Sequence, residues 1–318
     1  MSVLENRPEG CEIIVVLGCE YSDPWNIREE VSFLVAPRGS STTACVNLGI
    51  SSTRASIVHV IRPGWRATAG WIEAAVRRFD SEDVGTVVPL SVCDDDVSRV
   101  LSCGIRVAPG GRRIECKPRS NRRQPTEIAA ICVEGPSLAA GFWRTELFDL
   151  DGPGFPTACG DGLADADMAV TAAAAGWTCA VEPTCLVIAP KHLPKRSGSF
   201  LAGLHAERLF WRSRGGRSLL MPLAAHVLEI ARHAIAVAPW GTAAALFGRL
   251  IAIAQFGSFG PRFRRLRDIR ATVSKTGSGS EDSSIDTAQQ AIFRIDGPHG
   301  SSGKPHVLPS KERYRKSA

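Results

Sequence analysis

The chain has 318 residues, 44% of them hydrophobic and 22% charged, with ten cysteines and a net charge of +6. That suits a globular protein with one large domain plus a helical region, or two modest domains. No two cysteines stand in a C-x-x-C spacing or cluster with histidines, which excludes the usual zinc sites. Cysteines such as Cys132, between Ile131 and Val133, read as reduced, mostly buried small hydrophobes of a cytosolic protein.

Residues 1–10 are polar, and the first apolar run, Ile13 to Leu17, is strand-length, so no signal peptide is expected. Residues 11–18 and 31–36 read as short buried strands, 42–55 as a helix and 56–61 as a third strand. Trp71 to Phe79 reads as an amphipathic helix and 84–90 as a fourth strand. Such alternation predicts an α/β sheet. An irregular stretch over 91–127 holds Asp94-Asp95-Asp96, and strand-like sequence resumes at 128–133. A helix is expected at 163–175, with Asp165 and Asp167 near its positive end. A last strand follows at 178–188, and helices from about 199: one at 204–213 and a longer apolar one at 219–256.

Sixteen uncharged residues lie between Arg232 and Arg249, interrupted by Pro239 and Gly241. This is short of the roughly 20 that span a bilayer, which favours amphipathic helices on the domain or in the membrane interface. Two basic runs, Arg112 to Arg123 and Arg262 to Arg270, suit either an anionic partner, such as a nucleotide or lipid phosphate, or a solvated face. They match no nucleic-acid-binding motif, and no nucleic acid is expected as a partner. Residues 271–318, rich in Ser, Gly, Lys and Pro, read as a disordered tail.

Several ordered segments resemble the family-2 type of GT-A glycosyltransferase. Glu12 to Asp23 matches that family's second strand and its acidic nucleotide-contacting turn, with Leu17 at the first acidic position. Val46-Asn47-Leu48-Gly49-Ile50 stands where the family starts a helix with R-N-x-G-I. Counting back from Gly70-Trp71-Ile72, the metal-binding D-x-D falls on Arg62-Pro63-Gly64. Further on, Gly141-Phe142-Trp143-Arg144, Leu147-Phe148-Asp149, Ala164-Asp165-Ala166-Asp167-Met168 and Ala175-Gly176-Trp177 follow the family's acceptor-side order.

The resemblance implies a nucleotide-diphospho-sugar transferase fold, a Rossmann-like mixed sheet over 1–198, N-terminally incomplete, with helices over 199–270. Only ten residues precede Cys11, too few for the family's opening strand. An upstream start, a partner covering the edge or a degenerate domain would each account for that. It implies a nucleotide-sugar donor, a lipid-linked or glycan acceptor, and a cytoplasmic position at the inner face of the cell membrane. By position Asp165 would be the catalytic base, with helix capping the bland alternative for Asp165 and Asp167. Asp23, Asn47 and Arg62 fall on the donor side. Trp143, Arg144, Asp167 and Trp211 fall on the acceptor side. No metal ligand is assigned, and the replaced D-x-D puts a Mn or Mg ion in doubt, since arginine and glycine cannot ligate a cation. Arg62 could grip the diphosphate itself, or donor binding could be lost. His192 stands loosely where the family places a metal-site histidine, and reads equally as a surface residue.

Overall fold

The computed structural model describes residues 1–120, 124, 127–128, 131–191, 198–214 and 220–277. A short helix, α1 (Ser2–Asn6), precedes β1 (Ile14–Leu17) and β2 (Ser32–Val35), which pair in parallel as a separate two-stranded sheet. Helix α2 (Thr42–Ser52) starts at Ser41, whose side chain accepts from the Ala44 amide, and leads to β3 (Ile57–Ile61). Next come β4 (Arg66–Ala67), α3 (Trp71–Val76), β5 (Val84–Val92) and the short strands β6 (Val100–Ser102), β7 (Ile105–Val107) and β8 (Arg113–Glu115). Strand β9 (Ala140–Arg144), helix α4 (Ala164–Ala174) and strand β10 (Thr178–Ile188) complete the sheet region. Four helices follow: α5 (Phe200–Arg212), α6 (Leu220–Ala236), α7 (Thr242–Ala254) and α8 (Gly260–Gly277).

The main sheet runs β3-β9-β5-β10-β4, with β6 also on β5. Strand β5 is buried at every position, as a Val-rich run covered on both faces should be. It pairs in parallel with β10, while β9 is antiparallel to both β3 and β5. Alternation along β9 sends Phe142 into a cluster with Trp71, Phe79 and Val87, and Trp143 into one with Ile50, Phe148 and Met168. The fold is thus the mixed α/β sheet with C-terminal helices expected from the pattern.

Several boundaries differ from the sequence reading. The described residues of 128–133 form no strand: Ile128 is helical and Ile131 N donates to Ile128 O, and the pairing partner of β3 is the unforeseen β9. The long apolar helix breaks into α6 and α7 around Pro239 and Gly241. Helix continues to Gly277 where a tail was expected; the remaining tail and His192 lie outside the described residues. Cys19 and Cys132 are exposed, and four of the ten cysteines are buried. Among the described residues β1 pairs only with β2 and β3 only with β9, so each presents an unpaired edge.

Met1–Lys275 forms one unit. Helices α5 to α7 thus belong to the sheet's unit, and buried ion pairs tie the C-terminal helices to α4 and to one another. Asp167 of α4, fully buried, accepts from Arg212 Nε at 2.6 Å and Arg262 Nη2 at 2.9 Å. Glu207 accepts from Arg249 Nη1 at 2.8 Å and faces His226 Nε2 at 3.0 Å. No single helix among the described residues is long and apolar enough to cross a membrane; α7 with Phe256–Val273 passes that test only as a pair bent by 64°.

Candidate functional site

Strands β3, β5 and β10 point the same way, so their carboxyl ends share one edge of the sheet, where open α/β sheets place ligands. Residues Arg62-Pro63-Gly64 turn at the end of β3. The turn closes through Trp65 N donating to Arg62 O at 3.1 Å, and Gly64 takes φ +86, which glycine tolerates without strain. Arg62 N donates to Ala139 O at 2.9 Å. The Arg62 side chain is half-buried and makes no hydrogen bond or ion pair among the described residues.

The loop before β9 is held from its other side by Asp165. Its Oδ2 accepts from Leu138 N at 3.0 Å and Arg113 Nη2 at 2.8 Å. Its Oδ1 accepts from Arg113 Nε at 2.9 Å and Ala166 N at 2.8 Å. Arg113 also reaches Glu115 at 2.8 Å and Ser137 Oγ at 3.3 Å. Burial disfavours the Arg113 cation, but Asp165 and then Glu115 more than offset it and push its pKa up. Residues 62, 113, 137–139 and 165 are therefore gathered at one place. With four donors on two oxygens, proton transfer to Asp165 requires one of these bonds to open.

A concavity lies at the carboxyl ends of β1 and β2, a cavity of about 570 Å³ whose lining includes Tyr21, Arg28, Phe33 and Arg38. Tyr21 stacks on Phe33 at 5.4 Å. Nearby in sequence, the Asp23 side chain is 6% exposed, with Arg28 Nε at 3.9 Å, and neither carboxylate oxygen has a hydrogen-bond partner among the described residues. A buried carboxylate left this way is costly.

Other expected site residues are placed elsewhere. Asn47 is spent on structure: its amide donates to Phe155 O at 2.9 Å and accepts from Phe155 N at 2.7 Å. Trp143, 1% exposed, is a core residue edge-on to Phe155 at 5.0 Å, not an acceptor contact. Arg144 pairs in register with Ile57, at the opposite end of β3 from Arg62. There it donates to the Phe79, Ser81 and Val84 carbonyls at 2.6, 3.0 and 2.8 Å. Asp167 is closed in by its two arginines, and Trp211 Nε1 donates to Glu207 at 2.8 Å while packing on Phe256 at 5.0 Å. The sequence reading missed Arg113 and Ser137; the only signal for Arg113 was its place in the first basic run.

A divalent cation needs several oxygen ligands. Arg62 and Gly64 offer no carboxylate, Asp94 is paired with Arg66, and Asp95 lies 3.4 Å from Lys191 Nζ. Among the described residues no three His, Cys, Asp or Glu side chains converge as a metal group.

No protein-family model matches the chain, and no curated protein matches it. Solved structures with a similar arrangement include GalNAc-T7 with UDP, GalNAc and Mn2+, at 12% identity and a TM-score of 0.49 over 67% of this chain and 43% of that one. The mannosyltransferase PcManGT of Pyrobaculum calidifontis with GDP-Man and Mn2+ is 16% identical, with a TM-score of 0.41 over 82% of this chain and 75% of that one. TarS 1–349 of S. aureus in complex with UDP-GlcNAc is 11% identical, with a TM-score of 0.41 over 83% of each. The chain spans less than half the length of GalNAc-T7. Likenesses at this level do not assign the chain to a family.

Proposed function

We propose that the chain is a glycosyltransferase-like protein that takes a sugar from a nucleotide-sugar donor and passes it to a lipid-linked or polysaccharide acceptor at the cytoplasmic membrane face. In this reading an arginine, not a carboxylate-held Mn or Mg ion, meets the donor diphosphate. The observation that carries it is the convergence of Arg62, Arg113, the Ser137–Ala139 loop and Asp165 at the carboxyl edge of the sheet. An unpaired guanidinium there can take phosphate oxygens in bidentate fashion. The cavity by Tyr21 and Arg38 offers an aromatic face and a cation to a nucleotide. Asp165 acts as base only if Arg113 yields when an acceptor hydroxyl arrives.

A second reading is a non-catalytic module that binds a glycan or a partner enzyme. The fully occupied oxygens of Asp165 favour it.

Calorimetric titration with UDP- and GDP-sugars, with and without manganese, separates the readings. Binding independent of manganese and weakened about tenfold or more in Arg62→Ala supports the arginine role, given 1.5–3 kcal/mol for a charged hydrogen bond. Tight binding only with manganese contradicts it. Asp165→Asn with donor binding intact and sugar transfer lost assigns the base; full transfer activity removes it, and binding without transfer in the wild type selects the module.

A further inference from the structure

Helix α6 is built inside out. Its protein-facing side carries polar groups: His226 lies 2.7 Å from Gly110 O through Nδ1 and 3.0 Å from Glu207 through Nε2, Glu229 accepts from Arg112 Nε at 2.9 Å, and His233 accepts from Arg249 at 3.2 Å. The outward side carries Leu220, Leu223, Val227, Leu228 and Ile235, exposed by 83, 42, 61, 71 and 77%. Their spacing is that of one helical stripe.

Helix α7 repeats the inversion. It buries Ala245, Gly248, Arg249 and Ala252 and turns Leu246, Phe247, Leu250 and Ile253 outward. Gly203 and Gly248 make this possible: a Cβ on either would collide with backbone of the facing helix, so α5 and α7 touch closely and larger side chains are left outside. Between the two helices Trp240 is 94% exposed. A surface helix normally turns its apolar stripe to the core, and two consecutive helices that do the reverse require an apolar medium outside.

Charge decides which medium. Between Ser199 and Gly277 the sequence has twelve Lys or Arg against three Asp or Glu; all three acids face a cation, and Arg212 and Arg262 are paired with Asp151 and Asp167, which still leaves a cationic surplus. Arg264 and Arg267 at the following helix are exposed. Apolar stripes, an interfacial Trp and a cationic surplus are the composition of helices that lie in the headgroup region of an anionic bilayer. We infer that the outward faces of α6 and α7 dock on a lipid bilayer containing anionic lipid, with the helices in the interface plane. This deepens the membrane-face location in the proposed function but stands apart from its donor chemistry, and its test uses no nucleotide.

The test is sedimentation of the full chain with phosphatidylcholine vesicles, with and without phosphatidylglycerol. Expected is binding that strengthens with phosphatidylglycerol, weakens with salt, and falls about tenfold or more in Leu228→Ser/Ile235→Ser/Phe247→Ser. These positions face outward, so the variant's circular dichroism and Tm should match the wild type. Arg264→Gln/Arg267→Gln should lose only the phosphatidylglycerol increment. The inference is overturned if the wild type stays in the supernatant with both vesicles, or if the triple variant binds as well as the wild type. A dimer that ignores vesicles and falls apart in the triple variant would also overturn it, assigning the faces to a second copy of the chain.

Discussion

Asp167 Oδ1 lies 2.9 Å from Arg262 Nη2, a pair in which both side chains are almost fully buried, joining the first turn of α4 to α8. Arg212 reaches the other oxygen from α5, and Arg262 and Arg212 also face Asp151. Removing one partner of a buried pair leaves an uncompensated charge, which costs about 3–5 kcal/mol. Asp167→Asn leaves two buried arginines to share the Asp151 carboxylate. We expect it to lower unfolding free energy by about that amount, measured by urea denaturation, and to free α8 for amide exchange before the sheet. A loss below about 1 kcal/mol would mean that solvent reaches the arginines.

His59 supplies a pH dependence. It sits half-buried on the edge strand β3, its ring stacked on Phe142 at 3.9 Å and edge-on to Trp71 at 4.5 Å, and among the described residues its Nε2, shielded from solvent, has no partner. Burial holds its pKa down at about 3, partly countered by the hydrogen bond to Gly141 O. In the unfolded chain the same group titrates near 6.5. Protons therefore bind the unfolded state preferentially between these values, and stability falls as pH drops below 6.5. The slope approaches about 1.4 kcal/mol per pH unit. Urea unfolding at pH 7 and pH 5 should show this loss in the wild type, and His59→Phe should remove most of the difference.

The helix contact that forces α7 outward is equally testable. Gly203 and Gly248 face each other's helix backbone, with Ala245 O and Phe200 O in the way of any Cβ. Overpacking of such a contact costs about 1–3 kcal/mol. Gly248→Ala should lower Tm despite alanine's better helix propensity. An unchanged or raised Tm would show that the helices can separate at little cost.

Strand β5 was legible because a Val-rich run bounded by turn residues has few other interpretations. Helix α4 was legible from its alanines. By contrast β9 reads locally as a Gly-aromatic turn, and only pairing with the remote strands β3 and β5 makes it a strand. The site divides in the same way. The positions of Arg62 and Asp165 could be read from motif order. That one arginine of a basic run turns inward to grip Asp165 could not, because a charge run in sequence says nothing of which member meets a buried carboxylate. The aromatic and arginine of Trp143-Arg144 looked like an acceptor contact for the complementary reason: core and ligand-facing aromatics share a composition and differ only in what surrounds them.

Arg144 gives the sharpest separation between structure and site. Its guanidinium caps three carbonyls at the amino end of β5 and sits over the Phe79 and Trp177 rings at 5.4 and 5.6 Å. Arg62 lies at the other end of the same strand pair. Arg144→Ala leaves carbonyls short of donors and removes stacking, which should cost about 2–3 kcal/mol of stability. Below the variant's Tm, however, its affinity for a nucleotide sugar should equal that of the wild type, whereas Arg62→Ala should show the converse: normal stability and weakened binding. Calorimetric titration beside thermal unfolding of the two variants measures both. If Arg144→Ala lost donor affinity at a temperature where it is folded, the carboxyl-edge location of the site would be wrong, because no part of Arg144 reaches that edge.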